Sequence, residues 1–379
     1  MKIGIAVFAY NRSQHLSKTI EALRMNRDIS ELYIFQDGLK KEEHRIEWEK
    51  TTEVINSINW CKVHFYKSAN NKGLKKSILN GVNKVFEKND AIVVLEDDCV
   101  VLSNFMDYMR QSLVTYKDTE KVYSVSGYAW PIDVSDIIED AYFCGRISSW
   151  GWGTWKNKWD KLELDYEILY SMKKDEEVSK RLSIWGNDME NILLSNLSGK
   201  TDSWAVFWAL SVIKQGGLCL NPCYSLVDNI GFDGTGVHCG YSKQVKALQM
   251  NKDQVQFYFP TKIEVKEEIK HRFTSLFGGF YISEANPRKK FAIIYGMGSF
   301  YKKYENKLNE QFNISLYIDQ NKNGYYAGKR IGKIHEIIDQ KYDVIILMIA
   351  NLNEAIKISN NLHYKWNVPY EKILLGQNL

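Results

Sequence analysis

The chain has 379 residues, more than one core usually holds, so a large domain and a smaller one are expected. Its 50 Lys and Arg against 46 Asp and Glu leave a formal charge of +4, which gives no reason to expect a nucleic-acid partner. No uncharged apolar run reaches bilayer length, no cleavage site follows the opening apolar run, and six scattered cysteines fit a reducing compartment, so a cytosolic chain is expected.

From Lys2 the hydrophobic pattern alternates between strand and helix periods. A strand runs to Tyr10, a helix carries Leu16, Ile20 and Leu23, and a second strand covers Leu32 to Gln36. After a charged helix come a strand at Val63 to Tyr66 and an amphipathic helix with Leu74, Ile78, Val82 and Val85 on one face. Ala91 to Leu95 is a continuous apolar strand, the mark of a buried parallel position, and it ends in Glu96-Asp97-Asp98. This is a doubly wound α/β pattern.

Beyond Val122 to Val125 the pattern loosens into the aromatic stretch Ser148 to Trp155. Glycines between its tryptophans point to a shaped loop. A helix capped by Asp202 or Ser203 runs through Trp204, Phe207 and Trp208 to Gly216-Gly217, and a Gly-rich segment spans Asn229 to His238. The tail restarts an α/β pattern: strand Phe291 to Tyr295, a Gly296-Met297-Gly298 turn, a helix, a strand ending in Asp319, and strand Val344 to Ile349. The expected division is a domain over 1–260, a linker over 261–289 and a small Rossmann-like domain over 290–379.

In open α/β sheets, ligands bind beyond the carboxyl ends of the strands. Four such ends stand out: Ala9-Tyr10-Asn11-Arg12, Gln36-Asp37-Gly38, Asn70-Asn71-Lys72-Gly73 and the acidic triplet. Adjacent carboxylates in a partly dry site repel, and a hard divalent cation, Mn2+ or Mg2+, would neutralise them while bridging to a pyrophosphate. The alternative is a solvated acidic loop.

Val94-Leu95-Glu96-Asp97-Asp98, with Ile34-Phe35-Gln36-Asp37-Gly38 and Ala9-Tyr10-Asn11-Arg12 before it, resembles the nucleotide-sugar glycosyltransferases of the GT-A fold. The branch it is most similar to is the inverting N-acetylglucosaminyltransferase type with a Glu-Asp-Asp motif. The resemblance covers roughly Met1 to His238. Bacterial polysaccharide transferases of this kind also carry stretches like Ser149 to Trp155 and Asn229 to Phe232. The fold so implied is a GT-A type doubly wound mixed sheet, followed by the Rossmann-like tail.

The resemblance implies that Asp98 binds the metal, that Asp97 and Glu96 contact the ribose and donor sugar, that Asp37 reads the uracil ring, and that Arg12 meets the diphosphate. The bland readings are a turn former at Asp37 and a surface cap at Arg12. Lys72 offers a cation at the same edge, as donor contact or solvated turn lysine. Trp152, with Trp150, Trp155 and Arg146, is a candidate wall for a sugar ring or plain core.

An inverting reaction needs a general base apart from the triplet, and Asp202, in an Asp-and-Trp segment, is the candidate; a plain helix cap is the alternative. His238 is a second candidate metal ligand or a structural histidine. Cys219, Cys223, His238 and Cys239 have zinc-like proximity, but the adjacent last pair would strain a tetrahedral site.

The expected substrates are a UDP-sugar donor and a glycan or lipid-linked acceptor in surface polysaccharide synthesis. Phe273, Leu276, Phe277 and Phe280 beside Lys270, His271 and Arg272 either touch a membrane surface or pack on the core. Two other functions stay open: a catalytically silent nucleotide-sugar binding scaffold, and an NAD-dependent oxidoreductase built on the tail. Against the last, Tyr301 stands where a dinucleotide fingerprint has its third glycine.

Overall fold

The computed structural model describes residues 1–232, 250–277 and 289–376. In chain order it forms β1 (Ile3–Ala9), α1 (Ser13–Arg24), β2 (Glu31–Gln36), α2 (Arg45–Asn56), β3 (Lys62–Lys67), α3 (Leu74–Phe86), β4 (Ala91–Glu96), β5 (Cys99–Val101) and α4 (Phe105–Thr115). There follow β6 (Val122–Ser126), β7 (Ala141–Cys144), β8 (Trp152–Trp155), α5 (Lys156–Trp159), α6 (Ile168–Lys174), α7 (Glu176–Trp185), α8 (Met189–Leu197), α9 (Ala205–Lys214), β9 (Leu218–Pro222) and β10 (Val227–Asn229). The remainder is α10 (Glu267–Phe277), β11 (Lys290–Tyr295), α11 (Ser299–Gln311), β12 (Phe312–Ile318), β13 (Gly324–Tyr326), β14 (Lys329–Gly332), β15 (Val344–Leu347), α12 (Leu352–Trp366) and β16 (Ile373–Leu375).

Two compact units result. The first comprises Met1–Trp130, Val134–Lys174 and Met189–Val265, the second Pro131–Asp133, Asp175–Asp188 and Lys266–Leu379. Both are α/β, the class expected from the hydrophobic pattern.

The first unit holds an eight-stranded sheet in the order β3-β2-β1-β4-β8-β6-β9-β7. Strands β1 to β4 are parallel; β1 and β4 carry the near-continuous apolar character of buried parallel strands, while β3 at the edge is partly exposed. Phe8, Phe35 and Tyr66 lie opposite one another and stack across β1, β2 and β3 at 4.9 Å, a ladder of rings on one face. Ile78, Val82 and Val85 are fully buried along α3, as their i, i+4, i+7 spacing requires.

The sheet becomes mixed at β8, which runs antiparallel to both β4 and β6. This corrects the expected loop at 152–155. Tryptophan and threonine favour a pleated, buried surface, and Trp152, Thr154 and Trp155 all have cross-strand partners to pack on.

The second unit has a six-stranded sheet, β13-β14-β12-β11-β15-β16, whose β12, β11, β15 and β16 are mutually parallel, as in a Rossmann half. The stretch expected as a linker contains α10, which belongs to this unit. Its Ile269, Phe273 and Leu276 are buried, with Phe273 edge-on to Trp185 of α7 at 5.3 Å. Of the two readings of this stretch, these three residues take the packed one; Phe280 lies outside the described residues.

Asp319, at the end of β12, stands where a ribose-binding acid would. Its carboxylate instead accepts backbone N–H bonds from Met297 at 2.9 Å, Asn321 at 2.9 Å and Lys322 at 3.1 Å. It therefore clamps the turn after β11, and buried Tyr301 packs beneath, its hydroxyl bonded to Tyr317. Replacing Asp319 by Ala leaves the buried Met297 N–H without its acceptor. The expected cost is about 1–3 kcal/mol, read as a lower urea midpoint of the full chain.

Candidate active site

The topological switch point of the first sheet lies between β1 and β4, which are neighbours although β2 and β3 intervene in sequence. A crevice opens there by construction. Arg12 follows β1 and the triplet ends β4, so the sheet order brings the two motifs face to face.

Arg12 is the N-cap residue of α1 but makes no side-chain cap bond. Its guanidinium instead pairs with Asp97 and, at 2.8 Å, with Asp98. The surface-cap reading is thereby corrected: a short polar side chain can turn back onto its helix, whereas this long one reaches across the crevice.

Both carboxylates are buried, and their backbones are held as well. The Thr19 hydroxyl donates to the Asp97 carbonyl at 2.8 Å, and the Ile230 N–H donates to the Asp98 carbonyl at 2.9 Å. Strand β10 pairs with β5 and delivers Asn229-Ile230-Gly231 onto the acids. A Cβ at Gly231 would collide with the Asp98 carboxylate, so that close approach requires glycine.

Burial pushes the Glu96 carboxyl up to about 8, helped by the charges of Asp98 and Asp97 and opposed by Arg12 and a hydrogen bond from Trp204. Burial likewise raises Asp97 to about 6 against the pull of Arg12. For Arg12, burial works against the charge, but the two aspartates outweigh it and hold the guanidinium above its ordinary range.

The second and third motifs also meet, in a way the sequence did not indicate. The Asp37 carboxylate accepts from Gly38 N–H at 2.9 Å, Lys72 N–H at 2.9 and 3.1 Å, and Gly73 N–H at 2.9 Å. Asp37 thus fastens the turn before α3, closer to its turn-former reading than to a carboxylate with free lone pairs. The Lys72 side chain is exposed.

Asp202 does not cap its own helix. Trp204 is the N-cap residue of α9, without a side-chain bond. The Asp202 carboxylate reaches instead to the N-terminus of α3, where Oδ2 accepts from the Lys75 N–H at 3.2 Å and Oδ1 lies 3.7 Å from Lys75 Nζ. Two residues on, Trp204 bonds to Glu96, so one short segment touches both the acids and the α3 turn.

Trp152 is fully buried on β8, stacked at 4.9 Å on Trp204 and packed near Trp159. This corrects its assignment as a sugar wall, because a ring with no accessible face cannot stack on a ligand. It holds Trp204, and through it Glu96. Trp150 is partly exposed and lies edge-on to Phe232 at 5.7 Å. Buried Trp155 donates its indole N–H to the Leu113 carbonyl, and Arg146 is buried. His238 and Cys239 lie outside the described residues, and Cys219 and Cys223 are buried.

The donor chemistry fits a hard cation: two buried aspartates already share one cation, the Arg12 guanidinium. Among the described residues no three His, Cys, Asp or Glu side chains gather as metal ligands. Asp98, assisted by Asp97, would hold such an ion.

The family model described as "C2185-like, N-terminal" matches residues 288–374, within the second unit. No curated protein matches the chain. Among solved structures, the mannosyltransferase PcManGT from Pyrobaculum calidifontis, in complex with GDP-Man and Mn2+, is 6% identical over 57% of this chain and 69% of its own, with a TM-score of 0.36. The galactosyltransferase LgtC, in complex with donor and acceptor sugar analogs, is 11% identical over 57% of this chain and 72% of its own, at 0.30. UDP-glucose pyrophosphorylase complexed with UDP-glucose is 11% identical over 58% and 90%, at 0.29.

Two measurements probe the charge balance. A carboxyl whose folded pKa is raised contributes stability that is full below its unfolded value and lost as pH rises through the folded one. The melting temperature of the apo protein should therefore fall from pH 5 to pH 8, and Glu96→Gln should flatten that slope. Arg12→Gln strips two buried carboxylates of their partner. About 3–5 kcal/mol of stability should go with it, part of it recovered when Mn2+ is added to a thermal melt.

Proposed function

We propose that this chain is a metal-dependent, inverting glycosyltransferase of the GT-A type. In this reading it moves a sugar, by default N-acetylglucosamine, from a UDP donor to a glycan or lipid-linked acceptor in surface polysaccharide synthesis. The observation that carries the reading is the guanidinium of Arg12 bridging Asp97 and Asp98 at the β1/β4 switch point. Such a site holds a cation between acids and offers the same cation to a diphosphate. The resemblance of the Glu-Asp-Asp motif to nucleotide-sugar transferases supplies the donor class.

In the proposed reaction the acceptor hydroxyl attacks the anomeric carbon as the bond to the diphosphate oxygen breaks, and the electron pair leaves with the nucleotide. Asp202 takes the hydroxyl proton. Arg12 turns from the aspartates toward the diphosphate and neutralises the charge it gains, and Glu96, held by Trp204, orients the donor sugar. Asp98 would hold a divalent cation, which would supply Lewis-acid stabilisation of the same leaving group. Asp37 acts by holding the turn at Lys72 and Gly73, which leaves uracil contact to the donor face of that turn.

The test is a thermal-shift panel of UDP-sugars with Mn2+, followed by transfer assays on wild type, Asp98→Ala and Asp202→Asn. Asp98→Ala should lose the Mn2+-dependent shift and at least about 100-fold in turnover, whereas Asp202→Asn should keep the shift and lose a similar factor in turnover alone. Binding of UDP with Mn2+ but no turnover on a broad acceptor panel would favour the binding scaffold instead.

A further inference from the structure

Lys75 was not among the residues the motifs singled out, yet it is the cation that Asp202 meets. Lys75 lies in the first turn of α3, which holds no acidic residue. A lysine there faces the positive end of the helix dipole, an unfavourable place unless an anion is supplied from elsewhere. Asp202 is that anion, brought in from 127 residues away.

The turn before α3 is shaped for it. Gly73 sits at φ +80°, and a Cβ there would lie 2.6 Å from Asp202 Oδ2, so the carboxylate occupies the space that a side chain would fill. The opposite side of the same turn is tied to Asp37 through the Lys72 and Gly73 N–H groups. The Lys75 side chain is itself restrained: Nζ donates to the Tyr166 hydroxyl at 3.3 Å and lies 5.6 and 5.3 Å from the ring centres of Tyr166 and Phe207. Its side chain is 22% exposed against 43% for Asp202, so the fixed partner is the lysine.

We propose that Lys75 is a positioning residue for the base: its backbone N–H holds Oδ2 of Asp202 at the α3 turn, and its ammonium, 3.7 Å from Oδ1, orients that second oxygen toward the acceptor. This rests on Asp202 being the base. A pair this open contributes little to stability, so losing the ammonium registers in turnover rather than in folding.

The test uses the full chain with UDP-N-acetylglucosamine and Mn2+, water serving as acceptor, so that nucleotide release reads the base directly. Lys75→Met and Lys75→Gln should each lower kcat by at least about tenfold while KM for the donor and Kd for UDP stay within about twofold. Melting temperature should move by less than about 2 °C. Lys75→Arg, which keeps a cation, should return to within about threefold of wild type.

Wild-type turnover in Lys75→Gln overturns the inference, as does a loss in which kcat, KM and melting temperature move together without rescue by arginine. Should Lys75→Met fail to fold, the Gln and Arg variants decide alone. An inactive Asp202→Asn beside a fully active Lys75→Gln sinks only the role of Lys75. An active Asp202→Asn, or a wild type that releases no nucleotide from any UDP-sugar, sinks the reading on which it rests.

Discussion

Three carboxylates at the end of a fully apolar strand cannot stand together uncompensated, and the surrounding structure is arranged around that constraint. Arg12 supplies the counter-charge, and it can do so only because β1 and β4 are neighbours. The cost of burying these groups is large, and unpaired they would neutralise by taking up protons, the direction in which Glu96 and Asp97 are already pushed. The charge of the site is therefore balanced by one side chain, Arg12, which both aspartates share.

Around this pair the fold builds two supports. On one side the aromatic stack of Trp152, Trp204 and Trp159 holds the indole N–H of Trp204 against Glu96. On the other, the turn before α3 is gripped from both faces by carboxylates, Asp37 and Asp202. A segment of three residues, Asp202-Ser203-Trp204, joins the supports, so displacing the stack would move both Glu96 and Asp202.

The second unit repeats the arrangement of strand, turn and carboxylate. Its Gly296-Met297-Gly298 turn follows a strand as a nucleotide-binding turn would, and Asp319 arrives at the right place from β12. Yet that carboxylate is consumed by backbone N–H groups and Tyr301 fills the space beneath. Asp319 at the end of β12 thus does what Asp37 does at the end of β2: both carboxylates are spent on backbone N–H groups of a neighbouring turn.

Much of the architecture is readable in the chain itself. Period-2 and period-3.6 hydrophobicity marks β1 to β4, their helices and the restart at 290, because burial on one or both faces dictates the spacing of apolar residues. The Glu-Asp-Asp triplet and Arg12 are likewise visible, since charges after an apolar strand must be compensated. Long-range placement is not visible, because local patterns carry no information about which distant groups meet. The glycines around Trp152 favour a ligand wall over core, and only its place on β8 between β4 and β6 shows that the ring is fully buried. Asp202 looks like an ordinary cap at its own helix; the side chain turns elsewhere because Gly73 leaves it room at another. Lys75 had a faint signal, a lysine in a helix's first turn without an acid. The sequence by itself determined the strands, the helices and the need for a counter-charge, through burial and local propensity; only the tertiary structure decided which distant residues supply that charge and hold the proposed base, through strand order and close backbone approach.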